Sequence, residues 1–194
     1  MRYLTRNNLF TPAQTWVLDG ATLEIGDGRG PPRFVPLADV AAVRLEFAPT
    51  RPEPNRFRCR LTLRSGEGLE FFNRSCRGVY DIADTSAAYV GFVLALHAAL
   101  AVHAPGCEFA AGATGAAYAL NWAATIFVGL IVFFAALFLI FNGLAWLILL
   151  KIALLAIFAP NVFRWLARNR PRTYKPTSLP PELLPMHPLT ASFS

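Results

Sequence analysis

Between Tyr118 and Ala159 the chain runs 42 residues with one charged side chain, Lys151, and two asparagines, Asn121 and Asn142. As a single helix this stretch would be about 63 Å long, twice a hydrocarbon core of about 30 Å. It has to break, and Asn142-Gly143 is the turn-favouring pair inside it. The reading is a transmembrane helical hairpin over 118–168, with spans near 118–141 and 144–165. The second span gains length through Pro160, where Arg164 and Trp165 suit the headgroup zone. The rival is one span followed by a helix lying in the interface. Such a helix needs a polar face, and Leu144–Phe158 has only Lys151. Composition agrees with a bilayer anchor: 55% of residues are hydrophobic and 15% charged, against about 25% charged in soluble domains. The composition argues against a wholly soluble chain and excludes a wholly disordered one.

Orientation follows from the basic residues. Arg164, Arg168, Arg170, Arg172 and Lys175 flank the second span, while the Asn142-Gly143 turn carries no charge. The positive-inside tendency puts residues 169–194 in the cytoplasm, and a hairpin returns the N-terminal part to the same side. Cys59, Cys76 and Cys107 have no CxxC spacing and suit a reducing compartment. The opening residues show no signal-peptide pattern. With 16 arginines to 2 lysines and many alanines, the composition points to a high-GC bacterium and its inner membrane, multi-pass, with both termini cytoplasmic.

A second uncharged stretch, Ala87–Ala104, is also long enough to span. However, Tyr89, Phe92, Val93, Leu96 and Leu100 recur at helical spacing and leave small residues elsewhere, as in a helix packing one face on a core. Asp84, Thr85 and Ser86 offer caps, and Pro105-Gly106 ends it.

After a lead over residues 1–14, the chain reads as strands and turns. Trp16–Leu18 and Thr22–Ile25 flank Asp19-Gly20, a hairpin signal. Arg33–Pro36 follows a glycine- and proline-rich loop. In Asp39–Phe47, Val43, Leu45 and Phe47 alternate with Arg44 and Glu46. In Arg56–Arg64, Phe57, Cys59, Leu61 and Leu63 face one way and the arginines the other. Leu69–Asn73 is a further strand. The fold class expected is α+β: six or seven antiparallel strands over 15–104 form a half-open barrel closed by a C-terminal helix, then a linker over 105–117, the hairpin and a proline-rich tail.

The order of hairpins, the segment Phe34-Val35-Pro36-Leu37-Ala38-Asp39-Val40 leading into the next strand, and the closing helix resemble a bacterial pleckstrin-homology-like (PH-like) domain over about residues 15–104. The resemblance implies a binding or scaffolding role, and such domains are often joined to membrane helices.

Three sets of residues are candidate contact sites. Arg56, Arg58, Arg60 and Arg64 would repeat every ~6.8 Å along one strand face and either meet anionic headgroups or an acidic partner, or pair across strands with Glu46 and Glu70. Lys151 in mid-span either meets a partner subunit's carboxylate or carbonyl, or snorkels. In the tail, Arg170, Arg172, Tyr174, Leu179, Leu183 and Leu184 form an extended proline-rich segment, fit for an aromatic groove or for the chain's own domain.

Catalytic, cofactor and metal sites are not expected. His103 and Cys107 are separated by Pro105-Gly106, Gly26-x-Gly28-x-Gly30 precedes a strand rather than a helix, and the carboxylates are scattered. His97 reads as a tolerated residue beside the apolar face. Up to Ala117 the chain holds 12 arginines and 11 acids, a balance that argues against nucleic acid, and nothing marks a small-molecule substrate. The function expected is a non-enzymatic membrane adaptor or accessory protein that docks a partner, most simply a membrane protein complex. The alternatives are a sensor of anionic lipids, or a small subunit of a transporter or membrane enzyme.

Overall fold

The computed structural model describes residues 1–6, 11–50, 53–76, 82–141, 159–160 and 162–185. It is a mixed α+β fold in two compact units, Met1–Gly112 with Arg172–Ser194, and Ala113–Pro171.

In the first unit, β1 (Arg2–Thr5), β2 (Gln14–Asp19), β3 (Thr22–Gly26) and β4 (Arg33–Pro36) make an antiparallel sheet in that order. The β2–β3 turn is Gly20-Ala21, with Asp19 opposite Thr22 and φ +54° at Gly20. A two-residue loop needs this left-handed corner, and glycine supplies it without strain. The short turn Leu37–Asp39 leads into the second sheet, built from β5 (Val40–Phe47), β6 (Phe57–Leu63), β7 (Gly68–Phe72), β10 (Glu108–Ala111) and β11 (Arg172–Thr173) in the order β11-β10-β5-β6-β7. A small hairpin, β8 (Arg74–Cys76) with β9 (Ile82–Asp84), precedes helix α1 (Ser86–His103). Among the described residues the sheets do not join into a closed barrel.

Where alternation was strongest, burial follows it. Phe57, Cys59, Leu61 and Leu63 of β6 are buried and Arg60 is exposed. On α1, Tyr89, Phe92, Val93, Leu96 and Leu100 are buried, the face expected to pack. The core is an aromatic cluster of Tyr3, Trp16, Phe71, Tyr89 and Phe92, with ring centroids 5.0–6.3 Å apart. Such pairs add about 0.5–1.5 kcal/mol each beyond area burial. Asn73, fully buried, ties the elements together: its Oδ1 accepts from the Phe57 amide at 2.7 Å and its Nδ2 donates to Ser86 Oγ at 2.9 Å.

Two segments expected to be a lead and a linker hold strands. The lead over 1–14 contains β1, whose Tyr3 and Thr5 are buried, and the linker over 105–117 contains β10. Within 15–104 the strand pairs are antiparallel, as expected; beyond that range β10 runs parallel to β5, with Phe109 opposite Val43. The connection between β5 and β10 includes α1, the kind of crossover that parallel pairing requires.

In the second unit Thr114 Oγ1 accepts from the Ala117 amide at 3.3 Å and caps helix α2 (Gly115–Phe141). At 27 residues, α2 is about 40 Å long. Many of its large side chains, among them Leu120, Ile126, Phe127, Ile131 and Phe134, are exposed. By length and composition two helices could cross a membrane, Ser86–His103 with mean hydropathy 1.6 and Gly115–Leu139 with 2.5; a third of the first is buried inside the fold and almost none of the second. Residues 162–168 are helical. The Asn142-Gly143 turn, Lys151 and most of the expected second span lie outside the described residues.

Candidate functional site

The most developed site is the place where the tail meets the first unit. Having left the sheet at Ala111, the chain comes back as β11, with Arg172 opposite Ala111 and Thr173 opposite Ala110. The Tyr174 amide extends the ladder by donating to Phe109 O at 3.1 Å. The sheet turns the Tyr174 ring onto α1. It stacks on His97 (centroids 5.8 Å, 29° between planes) and tilts against Phe109 at 6.0 Å.

The hydrogen bonds fix who donates. His97 Nδ1 lies 2.7 Å from the carbonyl of Val93, one helical turn back. A carbonyl only accepts, so Nδ1 carries the proton and Nε2 of the neutral ring is bare. The Tyr174 hydroxyl, 2.7 Å away, therefore donates to Nε2. Burial keeps the ring neutral, taking its pKa down to about 4 against the opposing effect of the Val93 carbonyl. Burial likewise pushes the Tyr174 hydroxyl well above the usual tyrosine range.

Beyond Tyr174 the tail closes on itself. The Ser178 amide donates to Lys175 O at 2.9 Å, and Arg172 pairs with Glu182. Burial alone would raise the Glu182 carboxyl; its own backbone N–H and the Arg172 guanidinium outweigh that and hold it below the usual range. The turn Pro181–Leu183 then buries Leu183 completely, beside β5. Pro180 and Pro185 are buried too, while Leu179 and Leu184 are half-buried. Of the tail residues singled out, Tyr174 and Leu183 are the anchors and Arg172 a brace. Arg170 is exposed and belongs to the second unit. His97 is the residue that reading the sequence missed. The available signal was one polar side chain on the large-residue face of α1 and one tyrosine in the proline-rich tail.

The arginine stripe is largely occupied within the chain. Arg58 sits between Glu46 and Glu70, its Nε 2.9 Å from Glu46 Oε2. Glu46 is only 7% exposed, covered by that guanidinium rather than facing solvent as its strand position implied. Arg56 pairs with Glu53 at 3.2 Å and lies over the Phe72 ring, 3.7 Å from its centroid. Arg64 Nε donates to Ala38 O at 2.9 Å. Arg60 and Arg64 are the exposed members of the four, and the Arg60 guanidinium lies over Gly68.

Among the described residues no three His, Cys, Asp or Glu side chains come together as a metal site. Cys59 and Cys107 are buried thiols; burial pushes Cys107 up to about 11 and Cys59 higher still, so neither is an activated nucleophile. In comparisons with known proteins, no family model, no curated protein and no solved structure matches the chain.

Proposed function

We propose that the chain is a non-enzymatic, membrane-anchored adaptor of the bacterial inner membrane. In this reading a PH-like β half-barrel closed by α1 and a C-terminal tail stand on the cytoplasmic side, a transmembrane hairpin holds them there, and together they dock a membrane protein complex. The pairing of β10 with β11 is the supporting observation. Neighbouring strands lie about 4.8 Å apart. A chain that enters the apolar stretch after Ala111 and comes back beside it at Arg172 fits an even number of crossings. In the second unit the Ala113 amide donates to Asn169 O at 3.0 Å, which draws the two ends of that unit together.

The chemistry of α2 supports a lipid environment. Its two buried-phase liabilities satisfy themselves: Asn121 Nδ2 donates to Ala117 O at 2.8 Å and Thr125 Oγ1 to Asn121 O at 2.7 Å. In hydrocarbon each polar group must find an internal partner. The adaptor role rests on a well-formed peptide contact, the tail on its own sheet.

Purification of the full chain from native membranes in mild detergent, after brief crosslinking, tests the role. A membrane protein recovered in fixed ratio is the expected result, and a chain that elutes alone refutes it. Reporters fused after Asn142 and after Ser194 test the topology, with activity expected on opposite sides of the membrane.

A further inference from the structure

We propose that the His97–Phe109 slot is a reading site for a tyrosine on an extended protein segment, held shut in cis by Tyr174, and that the partner opens it with a tyrosine-bearing segment of its own. The proposal deepens the adaptor reading and rests on it for the existence of a partner. The chemistry of the slot stands on its geometry together with the burial that keeps the His97 ring neutral.

A tail that merely covered a core edge would need only apolar anchors, and Leu183 is one. The floor beneath Tyr174 is different. His97 is fully buried, its Nδ1 is committed to Val93, and its Nε2 points to the Tyr174 hydroxyl. A buried acceptor that meets one hydroxyl discriminates against any residue lacking it, because the acceptor is then left unpaired. The neutral ring accepts and cannot donate to that hydroxyl, so the slot takes a phenol and disfavours a carboxylate or a phosphate ester. Phe109 supplies the second wall.

The main chain gives the rest of the specificity. Two residue pairs of β11 and the Tyr174 amide add the segment to the open edge of β10, the mode in which sheets bind extended peptides. Between the anchors, residues 175–182 are braced by the Lys175–Ser178 turn and the Arg172–Glu182 pair, with Pro180 buried. The cis ligand is thus attached by a short ladder and by the side chains of Tyr174, Pro180, Leu183 and Pro185. Its advantage over a competitor is its tether, which sets an effective concentration on the order of millimolar. A partner fixed in the same bilayer is concentrated in a comparable way.

The probe is a fluorescent synthetic peptide of residues 170–185, titrated into the full chain in detergent. Wild type is expected to take it up weakly. Tyr174→Phe in the full chain keeps the packing but loses the hydroxyl, and should bind the probe about tenfold more tightly than wild type. A probe with Phe at the Tyr174 position should bind that variant about tenfold less well than the tyrosine probe. Equal binding of the two probes, or no gain in the variant, overturns the proposal, provided thermal melts show wild type and variant equally folded. Light scattering is expected to find one chain per micelle; a dimer dispersed by the probe would assign the slot to a second copy and overturn the partner reading. Failure of the adaptor role would show separately, as the absence of any co-purified membrane protein while the peptide titration still succeeds. A partner retained equally by wild type and by Tyr174→Phe in the presence of excess probe would leave the adaptor standing and remove the slot from it.

Discussion

Acidification should loosen this protein through His97, and the size of the effect follows from its burial. Folding takes the imidazole from an ordinary value near 6.5 to about 4, because the buried ring is costly to charge. Between those values the unfolded chain binds a proton that the folded chain does not. Stability therefore rises with pH across this window and is lost as pH falls from about 6.5 toward 4. Going from pH 7 to pH 5 protonates the unfolded imidazole almost fully and the folded one hardly at all, a loss of about 2 kcal/mol. Carboxylates titrate below that range as well, so the informative quantity is the difference from His97→Gln, which keeps an acceptor and cannot titrate. Urea unfolding of both chains in mild detergent, followed by tryptophan fluorescence, gives the two pH dependences. Wild type should lose about 2 kcal/mol more than His97→Gln. Superimposable dependences would mean that the ring is charged or hydrated in the folded protein. The assignment of Tyr174 as donor to a bare Nε2 would fall with it.

Two further substitutions separate interactions that look alike on paper. The Tyr89 hydroxyl is buried among Tyr3 and Phe71 with no hydrogen-bond partner among the described residues, so Tyr89→Phe should stabilise by about 1 kcal/mol and raise the melting temperature; a destabilised variant would show that the hydroxyl has a partner. Arg58→Ala strands the nearly buried Glu46 carboxylate and should cost about 2 kcal/mol, reduced from a fully buried pair because Arg58 is itself 28% exposed. Arg60→Ala should cost less than about 0.5 kcal/mol, and equal urea midpoints for the two variants would refute the distinction.

Much of the first unit was legible because its elements alternate cleanly. Phe57 to Leu63 could be assigned face by face, and the 3, 4 and 7 spacing from Tyr89 to Leu100 separated a packing helix from a mere greasy stretch. β1 and β10 were not, for different reasons. Arg2–Thr5 has two inward residues, too few to establish a period. Glu108–Ala111 is half alanine and gains its place from the crossover rather than from its own pattern. Tail docking was legible only as an alternative, since proline-rich segments carry no periodicity. The Arg58 pairing was visible as a choice of partners, whereas the burial of Glu46 depended on where a long guanidinium would lie. The slot itself joins residues 77 positions apart, and no local pattern encodes such a meeting.

The strand that completes the larger sheet is also the one made last, after every residue of the apolar stretch. While the ribosome is still working, β10 is an unfilled edge and His97 lacks its phenol, so the domain cannot reach its finished form until residues 112–171 have been made. Completion is thereby ordered by synthesis: the final stitch comes only after the whole intervening segment has left the ribosome.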